Sequence, residues 1–173
     1  SEAILTTDTY PKEVACDFEI GGKTVTMGGI AKGSGMIHVN MGTMLAFITT
    51  DLAISSEMIK KATEDVVEDT FNMVSVDGDT STNDMLMILA SGKAGNPEIT
   101  EENDDYRAFV EAYRHCTKNL SKKIAGDGEG ATKLLICSVT GAKTKKDARA
   151  AAKSVVSSSL LKAAIFGEDA NWG

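Results

Sequence analysis

Cys16-Asp17-Phe18-Glu19-Ile20-Gly21-Gly22-Lys23-Thr24-Val25-Thr26-Met27 is the stretch that decides the fold class. Residues 16–20 alternate apolar and polar, Gly21-Gly22 interrupts, and residues 23–27 alternate again. A period of two sends successive side chains to opposite faces of a sheet. Two glycines between two such runs signal a tight hairpin, here over Ala15 to Met27. Directly joined antiparallel strands do not belong to a regular βαβ series, so the expectation is a layered α+β domain.

Working outward, Gly28 to Met41 reads as a loop with a strand-like start, and Met44 to Thr50 as a short buried strand. Ser55-Ser56 suits the cap of a helix from about Glu57 to Asn72, with Met58, Ala62 and Val66 at helical spacing. Ser75-Val76 begins a strand that stops in a turn-rich run of Asp, Gly, Thr and Asn, and Met85 to Ala90 is another short apolar strand. Gly92 to Glu102 reads as a loop. Asp104 to Ala125 is a long amphipathic helix with Tyr106, Phe109, Tyr113, Cys116, Leu120 and Ile124 on one side, and Gly126 to Gly130 breaks it. Leu134 to Thr140 is the most strand-like run, and helices are expected over 147–154 and 158–166.

Composition narrows the function. A chain of 173 residues fits a single domain or the central fragment of a larger one. The net charge of −7 and the scattered lysines argue against nucleic acid, which needs clustered Lys and Arg. Cys16, Cys116 and Cys137 form no CxxC pair, so they read as small buried hydrophobes in a reducing, cytoplasmic setting rather than a disulfide framework or zinc site. His38 and His115 are too few for a metal centre, and the methionines read as core packing. No apolar run approaches the ~20 residues needed to span a bilayer, so no membrane partner is expected.

The chemistry concentrates in residues 32–51, Lys-Gly-Ser-Gly-Met-Ile-His-Val-Asn-Met-Gly-Thr-Met-Leu-Ala-Phe-Ile-Thr-Thr-Asp. Glycine-bearing sequence runs into a hydroxyl residue, Thr43, and then into an apolar strand. Gly42 has no Cβ, so its carbonyl can be approached closely. Attack by Thr43 on that carbonyl would cut the Gly42–Thr43 bond and free the Thr43 α-amine. Such an amine has a pKa of about 7.7 to 8.0, which suits it as the base for its own hydroxyl. On local composition alone, a Gly-Thr step ahead of a strand is an ordinary turn.

Lys32 to Thr43 resembles the processing site of the ornithine acetyltransferase (glutamate N-acetyltransferase) family. Further blocks resemble it in the same order: Thr6-Thr7-Asp8-Thr9 with Pro11-Lys12, Ser75-Val76-Asp77-Gly78-Asp79-Thr80 through Asp84, Gly126 to Lys133, and Ala164 to Gly173. The resemblance implies a self-processing fold of the N-terminal-nucleophile kind, with β-sheets sandwiched between helical layers. Residues 1–42 would end one cleavage product and residues 43–173 begin the other. Thr43 would be the nucleophile, and Thr6, Lys32, Thr43 and Glu129 would contact substrate. Lys32 suits an α-carboxylate, and Glu129 suits the side-chain amine of ornithine. Acetyl would pass from N-acetylornithine to glutamate through acetyl-Thr43, with no cofactor and no metal. Some members also take acetyl from acetyl-CoA. The cleavage products would pair and assemble as α2β2.

Departures from the family pattern are Val39, Ser159 and Ala170, which stand where Pro is expected. Complete members also carry further segments, including the Thr-Gly pair of the oxyanion hole. An oxyanion-hole donor is worth about 3 to 4 kcal/mol, so this chain by itself is expected to show weak transfer or none. A self-cleaving aminopeptidase or amidohydrolase of the same architecture, and an inactive structural fragment, remain the alternatives. From the residues alone, Asp127 and Glu129 read equally well as solvated turn residues, and the run from Asp77 to Asp84 as a structural turn near the site.

Overall fold

The structure is a computed structural model and describes residues 1–38 and 44–170. Gly42, Thr43 and Val39 lie outside the described residues. Among those described, the strands are β1 (Lys12–Ile20), β2 (Lys23–Lys32), β3 (Ile37–His38), β4 (Leu45–Thr50), β5 (Ser75–Thr80) and β6 (Met85–Ala90). The α-helices are α1 (Ser56–Asp69), α2 (Asp104–Gly126), α3 (Lys145–Val156) and α4 (Ser159–Phe166). This is the α+β class read from the sequence.

The β1–β2 hairpin turns at Gly21 and Gly22, with φ of 54° and 71°. Two successive positive φ values make the turn whose twist matches a right-handed ribbon, and glycine adopts them without strain. Strands β1, β2, β4 and β6 form one sheet in that order. The first two neighbouring pairs are antiparallel, and β4 and β6 run parallel through a crossover that contains α1 and β5. β3 and β5 form a separate antiparallel ribbon.

One face of the four-stranded sheet is covered by α2, with α1 packed beside it. The core joins Ile20, Val25, Met27, Ala46 and Ile48 of the sheet to Met58 and Val66 of α1 and Phe109, Tyr113, Leu120 and Ile124 of α2. Burying each large side chain contributes about 1.5 to 3 kcal/mol. Phe109 and Tyr113 stack with ring centroids 5.7 Å apart. The Ser55 cap is as the sequence implied, its Oγ accepting from the Met58 N–H at 3.3 Å, and the structure adds a cap at Asn103, whose Oδ1 accepts from the Tyr106 N–H at 2.9 Å. Ser159, where Pro was expected, is the first residue of α4, a position that asks for no backbone donor.

Several expectations change. Leu134 to Thr140 is not a strand: it has no regular secondary structure, because no described segment pairs with it and an unpaired run makes no ladder. β2 extends to Lys32, further into the supposed loop, because β4 lies alongside and pairs with residues 27–32. β5 runs on to Thr80 through its turn-like composition because β3 pairs with it. Met27, Met44 and Met58 are core residues, whereas Met36 and Met87 are exposed.

Candidate active site

Three segments far apart in sequence meet where β1 begins and β2 closes. They are residues 6–9, residues 32–35 at the close of β2, and residues 127–129 after α2. Lys32 Nζ donates to Thr6 Oγ1 at 3.2 Å. The Glu129 N–H donates to the Ser34 carbonyl at 3.0 Å, and Ser34 Oγ donates to the Asp127 carbonyl at 2.7 Å. The Glu129 carboxylate lies over Gly35: a Cβ on that glycine would stand 2.7 Å from its Cδ and Oε1. Thr6, Lys32 and Glu129 therefore stand around one loop, the loop that leads toward Thr43. Lys32 is half-buried, and Thr6 and Glu129 are exposed.

Beneath this surface lies a buried ionic cluster. Lys12 Nζ is 2.5 Å from Asp8 Oδ1 and 2.5 Å from Asp127 Oδ2, and none of the three side chains is more than 3% exposed. Asp127 is thus no solvated turn residue; Lys12 draws it inside. Asp8 Oδ1 also accepts the Gly33 N–H at 2.8 Å, and Asp8 Oδ2 the Thr6 N–H at 3.3 Å. Asp127 Oδ2 accepts the Thr9 N–H at 3.0 Å, and Thr9 Oγ1 donates to Oδ1. Burial alone would raise both carboxyl pKa values. The Lys12 ammonium and these N–H donors outweigh it, so both are held below the ordinary range.

The loop is pinned from its other side as well. Asp77 accepts the Met36 N–H at 2.5 Å and the Ile37 N–H at 3.0 Å. His38 Nδ1 lies 2.9 Å from Ser75 Oγ, and its pKa is lowered by burial and by the nearby Lys153 and Lys162 ammonium groups. The run from Asp77 to Asp84 is not the plain turn the sequence suggested, since Asp77 to Thr80 continue β5, and its last residue bears on the loop as well. Asp84 Oδ1 accepts the N–H of Met44, the residue that follows Thr43, while Asp84 Oδ2 is buried with no hydrogen-bond partner among the described residues. Burial raises this carboxyl above its ordinary value, against the opposing pull of the Met44 N–H.

The site thus offers an ammonium bonded to a threonine hydroxyl, a carboxylate over Gly35, and a glycine-rich loop entering from β2. That set can hold an amino acid with a second amine. Glu129 also borders a cavity of about 320 Å³ with Lys133, Leu134, Lys162 and Phe166. Among the described residues no group of three or more His, Cys, Asp or Glu is placed to hold a metal ion. No described helix is long and apolar enough to cross a membrane.

Sequence reading overlooked Lys12, Asp8 and Asp127 as a unit, and overlooked Asp84. A signal existed for Lys12: it shares parity with Val14, Cys16, Phe18 and Ile20, the inward face of β1. Asp84 carried no such mark, because its role depends on β6 running parallel to β4.

A family model described as "ArgJ family" matches residues 1–173. The Symbiobacterium thermophilum protein named "Arginine biosynthesis bifunctional protein ArgJ" is 57% identical over the whole chain, and the match spans 43% of that relative. A Listeria monocytogenes protein of the same name is 56% identical over 99% of the chain, again 43% of its own length. A crystal structure of "Arginine biosynthesis bifunctional protein argJ" from Bacillus halodurans superposes with a TM-score of 0.73 at 48% identity, covering 76% of this chain and 62% of that one. The chain therefore spans less than half the length of these two sequence relatives.

Proposed function

This chain belongs to the ArgJ family, and from that premise we propose that it carries the self-processing and acyl-accepting part of an acetyltransferase that moves acetyl from N-acetylornithine to glutamate. The observation that carries the reading is the convergence of Lys32, Thr6 and Glu129 on the loop that leads to Thr43. Lys32 would pair with the α-carboxylate of the substrate and Glu129 with its side-chain ammonium, which together set the acetylated nitrogen toward Thr43.

Processing comes first. Thr43 Oγ attacks the Gly42 carbonyl, the Gly42–Thr43 C–N bond breaks, and water hydrolyses the resulting ester to a Gly42 carboxylate and a free Thr43 α-amine. That amine then takes the Oγ proton as Oγ attacks the acetyl carbonyl of N-acetylornithine. The C–N bond breaks and the proton leaves with ornithine, giving acetyl-Thr43. The amine of glutamate attacks this ester, N-acetylglutamate departs, and Thr43 Oγ regains its proton. Residues 1–42 and 43–173 belong to the two products in this scheme, paired as α2β2, in the cytoplasm. Acetyl-CoA would enter as an alternative donor at the same nucleophile, with no other cofactor.

Intact mass under denaturing conditions tests the first step. Two pieces that sum to the whole plus one water, one of them beginning at Thr43, are expected when the chain replaces the matching residues of the Symbiobacterium relative. A Thr43→Ala variant that still cuts would overturn the reading. Products from N-acetylornithine are then measured with and without glutamate. N-acetylglutamate supports transfer, and free acetate at the same rate in both arms means a hydrolase.

A further inference from the structure

We propose that Lys12, Asp8 and Asp127 are positioning residues that set the spacing of Thr6, Lys32 and Glu129. The kinetic arm of the argument rests on the acetyl-transfer reading above; the structural arm does not.

A lysine inside a domain is costly, because the lost hydration of each ion must be repaid by pairing and hydrogen bonds. Here the repayment goes to three particular segments. Asp8 takes the backbone N–H groups of Thr6 and Gly33, one residue on from Lys32. Asp127 takes Thr9, and its own carbonyl takes Ser34 Oγ, while the Ser34 carbonyl takes the Glu129 N–H. Lys12, on β1, touches both carboxylates and is fully buried. Each segment that bears a substrate-facing side chain is therefore tied, within one or two hydrogen bonds, to the same ammonium. A core stabiliser could do its work with an apolar residue at 12; this arrangement specifies where three loops stand.

The charge balance yields a diagnostic. One ammonium serves two carboxylates that both lie 2.5 Å from it. The neighbouring charged groups are Lys32 from β2, Glu129 from the turn after α2, and Lys123 of α2, whose ammonium goes to the Glu13 carbonyl; the Tyr10 ring covers Lys12 at 5.1 Å. With Lys12 replaced by Met, two carboxylates face each other in a buried space without a cation between them. One must then take up a proton at a pH well above its normal range, and the shared proton restores the bridge. Lys12→Met should therefore be defective at neutral pH and recover as pH falls, which a packing defect would not do.

The test uses Lys12→Met, Lys12→Met/Asp127→Asn and Asp8→Asn, each in the 173-residue chain and in the chain carried by the remaining sequence of the Symbiobacterium relative. In the chain alone, NMR hydrogen exchange of the Gly33 and Glu129 amides is compared with the parent at each pH. Lys12→Met is expected to lower their protection at least tenfold at pH 7 and regain most of it near pH 5. The double variant, which again carries one net buried negative charge, is expected to regain it at pH 7. It also carries the test should Lys12→Met fail to fold. In the grafted protein the KM for N-acetylornithine should follow the same pattern, with Asp8→Asn raising KM more than it lowers kcat. Parent-like protection in Lys12→Met, or a double variant no better than the single one, overturns the proposal. A parent graft that transfers no acetyl sinks the functional reading instead, and the exchange data still decide the cluster.

Discussion

Replacing Gly35 by Ala should separate the site from the fold. The Cβ added at Gly35 would stand 2.7 Å from Glu129 Cδ and Oε1 and 2.9 Å from Oε2. Non-bonded carbon contacts relax at about 3.5 Å, so the carboxylate must withdraw by roughly 0.8 Å. Glu129 is exposed and long, so the retreat costs the fold little. Gly35 is absent from the positive-φ glycines, so Ala meets no backbone strain and reduces the freedom of the unfolded chain, worth about 0.4 to 1 kcal/mol in its favour. Stability should change by less than about 0.5 kcal/mol in either direction.

Binding should respond quite differently. A charge-assisted hydrogen bond contributes about 1.5 to 3 kcal/mol, and a partner drawn back by roughly 0.8 Å passes out of hydrogen-bond range. Adjustment of the ligand recovers part of the loss, so the KM for N-acetylornithine should rise about tenfold, equivalent to ~1.4 kcal/mol, with kcat little altered. The assay pairs a urea melt of the 173-residue chain with initial rates in the grafted protein. Glu129→Gln in the Gly35→Ala background should add little, because both changes act on the same contact. An unchanged KM would refute the assignment of Glu129 to the substrate amine. A stability loss above about 1 kcal/mol would refute the claim that the glycine serves the site rather than the fold.

Other perturbations follow from the same geometry. Asp8 and Asp127 have depressed pKa values in the fold, so their contribution is complete above the unfolded carboxyl pKa of about 3.9 and is lost as pH falls through their lower folded values. The urea midpoint should thus drop steeply below pH 4, and Asp8→Asn should flatten that drop. Burial, and then the neighbouring Cys16, push the Cys116 thiol up to about 12. Iodoacetamide should therefore leave Cys116 unmodified in the folded chain and label it in urea; native labelling by peptide mapping would contradict this. Asp69 accepts from Arg114 at 2.8 Å, Arg149 at 2.7 Å and Lys145 at 2.6 Å, which ties α3 to the end of α1. Asp69→Asn should cut hydrogen-exchange protection in α3 about tenfold and leave α2 protected; equal loss in both would mean that α3 does not open separately.

What the sequence disclosed depended on how local each cause was. The β1–β2 hairpin was legible because its alternation and its Gly21-Gly22 turn sit within a dozen residues of one another. The same holds for α1, with its cap at Ser55, and for the apolar stripes of α1 and α2, which are local. Leu134 to Thr140 was misread because a strand is a relation between two segments, and apolar composition announces a willingness to pair without supplying the partner. Thr6, Lys32 and Glu129 were nominated by resemblance; that they gather on one loop is a property of the fold. The ties between them run through backbone N–H and carbonyl groups, which every residue carries and no side-chain pattern reveals.

Lys12 shows where a stricter reading would have gone further. Strand β1 alternates, and every even position from Val14 to Ile20 is apolar and turned inward. Continuing that parity by one step puts a lysine on the inward face, where an unpaired ammonium would be prohibitively expensive. The pattern by itself therefore demands acidic partners. Asp8, four residues earlier, and one of the carboxylates in the Gly126–Gly130 break were the natural candidates. A charged residue in phase with a buried stripe is the place where a sequence departs from what packing alone requires. In this chain that departure leads from β1, through two aspartates, to each of the described segments that bear the candidate substrate-binding side chains.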